Sequence, residues 1–196
     1  MNKKAFLLTV LSLVMACSSK PNSFSGDSST SSPSSSSSID SNRMVRSMGL
    51  TSENLLTSYS DVRILKSYSH ITKNHDETTY MSFSDYNSLT EYTETLKEDD
   101  GNYYRPTIEY FEGLNQELFA DKNFIVAPEI MSNSGSYSYE FNNLYLKDGR
   151  LYIQLIFDDP GQKGYSVDAA IAWSVCTIFV SKNIQFTEVV NVIERI

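Results

Sequence analysis

Two cysteines and two histidines stand among the 196 residues, so chemistry at a thiolate, an imidazole or a metal has few side chains to draw on. Cys176 sits between Val175 and Thr177 in an apolar stretch, where a thiolate would be desolvated, and it reads as a small buried hydrophobe. His70 and His75 lie five apart beside Asp76 and Glu77. A metal site needs several ligands converging at bonding distance, and this spacing matches no helical histidine pair, so solvated residues at a strand end and a loop tip explain them. Glu98-Asp99-Asp100 and Asp158-Asp159 lack the alternating ligand register of a calcium loop and read as solvated loop charge. There is no Gly-x-Ser-x-Gly elbow and no phosphate-cradling glycine loop, and Asn133-Ser134-Gly135-Ser136 reads as a turn. The expectation is no catalytic residue, no metal and no cofactor. What remains is aromatic surface, dense between Tyr137 and Tyr152. Tyr137, Tyr139 and Tyr152 are candidate ligand-binding residues if they share an exposed sheet face, because tyrosine offers a flat ring and a hydroxyl and is enriched at interfaces. Aromatics also favour strands for packing alone, so a half-buried sheet remains the alternative.

Cys17 belongs to a different setting. Met1 to Lys4 are positively charged, Ala5 to Ala16 form an almost wholly apolar run, and a small residue precedes the cysteine. The run is too short to span a bilayer as a helix and reads as a signal peptide over residues 1–16. Val14-Met15-Ala16-Cys17 resembles the bacterial lipobox. The resemblance implies that the Cys17 thiol takes a diacylglyceryl group and becomes the first residue of the mature chain, and two or more acyl chains suffice for stable anchoring. The implied location is a cell membrane, lipid-anchored and facing outside the cytoplasm, at the cell surface or in the periplasm. From Ser18 to Asn42 serine dominates, with Pro21 and Pro33 and only Phe24 and Ile39 as sizeable apolar residues. Such a segment buries too little to fold. Residues 17–42 are therefore expected to be a lipidated cysteine and a flexible spacer reaching roughly 25–30 Å.

A single globular domain is expected over residues 43–196. Lys and Arg number 16 against 24 Asp and Glu, a formal net charge of −8 that deepens once Lys3 and Lys4 leave with the export segment. Nucleic acid and anionic headgroups both need neutralisation by Lys and Arg, and no basic stripe is present, so nucleic-acid binding is excluded.

The elements that must position any site follow from periodicity. A weak helical stretch near Thr51 to Ser58 precedes a strand over Val62 to Ile71, with Val62, Ile64, Tyr68 and His70 on one face. Turn residues Asn74 to Glu77 and a second strand over Thr78 to Phe83 predict a hairpin. A cap at Ser84 or Asp85 opens a helix that stops at Gly101, and a second helix begins at Pro106 and carries Ile108, Phe111, Leu114, Leu118 and Phe119 inward, weakened by Gly113. Strands follow over Phe124 to Ala127, Tyr137 to Leu146 with a bulge at Asn142-Asn143, and Leu151 to Phe157, the last two joined at Asp148-Gly149. Ala170 to Ser181 is apolar in both phases and should be a central strand covered on each side, with a final strand over Val189 to Ile193. The fold class is α+β: an antiparallel meander or sandwich-like sheet with two helices before the main strands.

The stretch Ser82 to Lys182 resembles a domain of small bacterial lipoproteins related to the protease-complex subunit of oral spirochaetes, often called the PrcB family. The residues that carry the likeness are Leu118-Phe119 before Phe124 to Ala127, Ser134-Gly135-Ser136-Tyr137, Asp148-Gly149-Arg150-Leu151, and Ala172-Trp173 before a strand ending at Lys182. These are turn and core positions, so the resemblance speaks to fold. For function it implies a non-enzymatic binding or accessory module that stabilises an extracytoplasmic protein such as a protease. A carbohydrate or cell-wall binding module using the same aromatics is the alternative.

Overall fold

The computed structural model describes residues 42–73 and 79–195. Cys17, the export segment, the spacer up to residue 41, and the expected turn and metal candidates His75, Asp76 and Glu77 lie outside the described residues. The described part is α+β.

Its centre is β7 (Ala172–Ser181), whose two apolar phases serve two different cores. Val175 and Phe179 face one way, into a cluster with Phe83, Leu89, Leu96, Ile108, Phe111, Phe119 and Phe124. Cys176, Ile178 and Val180 face the other way, against Ile125, Leu144, Leu151, Ile153, Leu155 and Val189. Alternation along a strand places neighbours on opposite faces, so a strand apolar in both phases needs a cover on each. Burial pushes the Cys176 thiol up to about 12, which keeps it protonated and consistent with a packing role.

β7 lies inside one sheet, flanked by β1 (Tyr59–Ser67) on one side and on the other by β3 (Lys122–Val126) and β4 (Ile130–Ser132), which follow one another along its length; β2 (Met81–Phe83) pairs with β3. The second sheet has the order β5 (Ser138–Lys147), β6 (Arg150–Asp158), β8 (Glu188–Arg195). The shared cluster between them makes the pair a sandwich. Helices α2 (Tyr86–Asp100) and α3 (Arg105–Glu112) cover the outer face of the first sheet. In α2, the Asp85 carboxylate accepts the Ser88 N–H at 2.8 Å as N-cap, and Leu89, Thr93 and Leu96 supply the buried face at helical spacing. The buried Thr177 hydroxyl of β7 meets the Tyr110 hydroxyl of α3 at 2.8 Å, so neither is stranded in that core. The short α1 (Arg43–Ser47) covers the outer face of the second sheet, where Val45 and Leu50 pack on Tyr145 and Val192. Beneath it the buried Gln154 side chain accepts from Asn142, Asn143 and Tyr145 and donates to Asn42, while Glu194 accepts the Val45 N–H at 2.8 Å.

Several expectations need correction. The first two strands do not form a hairpin: β1 pairs with β7 and β2 with β3, because the buried partners lie far along the chain and outweigh proximity. The later strands are not a meander, since β7 leaves for the other sheet and β8 returns parallel to β6. The second helix ends at Glu112 with Gly113 as its C-cap, and Leu118-Phe119 fall in a separate 3₁₀ turn over Gln116–Ala120. Thr51 to Ser58 contains only a 3₁₀ turn over Ser52–Asn54. The β5–β6 hairpin and its irregularity at Asn142-Asn143 are as read. Asp148 (φ 50°) and Gly149 (φ 73°) both adopt the left-handed conformation that a two-residue hairpin turn requires.

Candidate functional site

The sandwich is closed along one side and open along the other. On the β1/β5 side, the Leu56 N–H donates to the Leu144 carbonyl at 2.8 Å and Leu55 bridges to Tyr145, so backbone ties the sheets together. On the β4/β8 side no backbone hydrogen bond joins the described edges. Among the described residues neither β4 nor β8 has a second strand neighbour, and the gap holds two adjoining clefts of about 420 and 300 Å³ that share Ile130, Met131 and Ile193. The first continues over Pro128, Val189, Val190 and Asn191 to Glu188; the second continues to Tyr137, Tyr139, Phe157 and Arg195. Together they form one groove, apolar along its middle, with Met131 49% exposed on its wall. Apolar surface of this kind beside open backbone is the chemistry of a binding site for another chain.

Two of the three candidate tyrosines belong to this groove. Tyr137 and Tyr139 both pack on Phe157, at ring separations of 5.1 and 5.4 Å, and the Tyr139 hydroxyl lies 3.0 Å from the Ser132 hydroxyl across the gap. The Arg195 guanidinium sits 5.2 Å from the centre of the Phe157 ring. Tyr152 lies elsewhere. It alternates with Leu151 and Ile153, so it faces the α1 side and packs with Val45, Leu50 and Tyr145. The three tyrosines therefore do not form one face, and all three are half-buried rather than displayed.

The floor of the groove rests on a carboxylate that residue spacing did not single out. Glu129 is 5% exposed, and its Oε1 accepts from the backbone N–H of Ile71 at 2.8 Å and of Thr72 at 2.6 Å and from the Thr72 hydroxyl at 3.0 Å. Its Oε2 lies 2.9 Å from His70 Nδ1. His70 is consequently not a solvated strand end: its ring lies 4.4 Å from that of Trp173 and its backbone N–H donates to the Tyr103 hydroxyl. A carboxylate accepting this many donors ties the loop after β1 to the start of β4. The available signal was a charged residue after Pro128, set between the apolar run Phe124 to Ala127 and Ile130-Met131. The acidic clusters have local partners, Asp99 with Lys73, Asp100 with the Tyr103 N–H, Asp158 with Lys163 and Asp159 with the Gly161 N–H. Among the described residues no group of three or more His, Cys, Asp or Glu side chains is placed to hold a metal ion.

The tyrosine end of the groove is held by the turn Ser134-Gly135-Ser136. Asp168 accepts from the Ser134 hydroxyl at 2.8 Å and the Ser136 N–H at 3.2 Å, and Lys66 donates to the Gly135 and Tyr137 carbonyls. The Ser134 hydroxyl above all, helped by backbone N–H groups of Gly135, Ser136 and Ala170, holds the Asp168 carboxyl below its ordinary 3.8. A lowered folded value means that this stabilisation is present above pH 3.8 and is lost as pH falls through the folded value. The stability difference between wild type and Asp168→Asn, read from urea midpoints, is therefore expected to be full at pH 6 and to shrink as pH drops below about 4. A difference that stays constant down to pH 2.5 would remove Asp168 from this role.

No family model, no curated protein and no solved structure matches the chain. Among the described residues no helix is long and apolar enough to cross a membrane.

Proposed function

We propose that this chain is a lipid-anchored extracytoplasmic module, without catalytic activity of its own, that binds a protein partner in the groove between β4 and β8. The observation that carries the reading is the asymmetry of the sandwich, tied by backbone along β1 and β5 and parted along β4 and β8 around an apolar gap. Two features favour protein over sugar. The middle of the groove is aliphatic, and the hydroxyl of Tyr139 is already engaged with Ser132. The anchor rests on the lipobox resemblance at Cys17, and a secreted protease as the stabilised partner rests on the family resemblance.

The test is crosslinking in intact cells followed by recovery of the tagged protein, in parallel with a Cys17→Ala version. The expected result is one secreted or surface protein in stoichiometric amount, with membrane association lost in the Cys17→Ala cells. Recovery of no protein, with glycan retained on the purified domain, would replace this reading by the carbohydrate or cell-wall module.

A further inference from the structure

Resting on that reading, we infer that the partner is bound as an added β-strand: an extended segment laid antiparallel along β8, with its aliphatic side chains in the groove and an acidic residue opposite Arg195. Three observations lead there. β8 spans eight residues and, among the described residues, is paired only to β6, so its outer side presents ladder groups to the gap. A strand placed there also lies beside β4 and closes the sandwich on the side that is parted.

The second observation is an orphaned acceptor in the wall. Asn191 donates its Nδ2 to the Pro128 carbonyl at 2.8 Å, which fixes the amide, and its buried Oδ1 has no hydrogen-bond partner. A buried acceptor left unmade is unfavourable by roughly 1–3 kcal/mol, and what satisfies it is an N–H. The backbone of an extended segment supplies one every second residue on each side.

The third is charge. β8 ends at the exposed Arg195, which makes that end of the groove positive, while Glu188 at its other end is paired with Arg150 at 2.6 Å. An antiparallel segment, the more stable pairing per residue, would therefore carry an acidic residue first, opposite Arg195.

The experiment uses the full chain in detergent and two capped synthetic peptides, Asp-Thr-Val-Thr-Val-Thr-Val-Lys, whose valines fall opposite the groove-facing Ile193, Asn191 and Val189, and the same sequence with its end residues exchanged. Binding is read by titration, and amide hydrogen exchange locates it. The expected result is preference for the Asp-first peptide, protection confined to β8 and β4, and a roughly tenfold loss of affinity in Asn191→Leu, the value of one hydrogen bond. Arg195→Glu, at an exposed position, should reverse the preference between the two peptides. Equal binding of both peptides, protection along β1, β2 or β5, or no binding overturns strand addition. If crosslinking in cells still recovers a partner, the protein-binding reading stands without it; if that fails as well, both are removed.

Discussion

Replacing Glu129 by Ala is expected to lower the stability of the domain by about 3–5 kcal/mol, a large part of the 5–15 kcal/mol available to a fold of this size. The reason is local. The carboxylate is the acceptor for the N–H groups of Ile71 and Thr72 and for the Thr72 hydroxyl, and both of those residues are buried. Removing it strands donors that water reaches poorly, and each stranded group is unfavourable by roughly 1–3 kcal/mol. It also cuts the tie between His70 and the start of β4, so the Pro128 to Met131 wall of the groove loses its footing. Glu129→Gln keeps one acceptor oxygen for the loop and should fall between wild type and Glu129→Ala. Urea unfolding of the three proteins measures this. A midpoint for Glu129→Ala corresponding to a loss of less than about 1 kcal/mol would mean that the loop after β1 is held by other contacts.

That carboxylate also marks the limit of what residue order reveals. Where structure is dictated by neighbours a few positions away, the reading held. Asp148-Gly149 forces a tight hairpin through backbone conformation, the change of phase between Phe141 and Leu144 becomes a register shift, and the Asp85 cap and Gly101 bound α2. The two apolar phases of Ala172 to Ser181 also fixed that strand as central, since no one-sided environment suits them. Pairing across long separations is a different matter. Arg63 sits opposite Thr177 and Met81 opposite Val126, and nothing in alternation names those partners, so proximity suggested a hairpin that is not there.

The groove was legible only in part for the same reason. Tyr137 and Tyr139 were singled out by residue type, and they do line it, but its opposite wall comes from Pro128 to Met131 and from β8. Tyr152 carries the same chemistry and lies on the wrong face, because the strand period of two separates it from its neighbours Leu151 and Ile153. Glu129 and His70, 59 positions apart, meet only because β1 and β4 both pair with β7.

The opposed faces of the first sheet lead to a second large effect. Phe124 is fully buried with its ring 4.9 Å from that of Phe179 and within 6.4 Å of the rings of Phe83, Tyr110, Phe111 and Phe119. Phe124→Ala removes the ring around which that layer assembles and should be destabilising by about 3–5 kcal/mol, whereas Phe124→Leu, closer in volume, should be destabilising by about 1–1.5 kcal/mol. The next residue along β3, Ile125, packs into the other core, between the sheets, and Ile125→Ala should be destabilising by about 2–5 kcal/mol. The two losses differ in where they are felt. α2 and α3 dock on the sheet through the Phe124 cluster, so in Phe124→Ala their amides should lose exchange protection before those of β5 and β6; in Ile125→Ala the order should reverse. Native-state hydrogen exchange on both variants reads this directly. Equal loss across all elements in both would mean that β7 couples its two faces into one cooperative unit, and the helical layer could then not loosen without opening the groove on the far side of the same sheet.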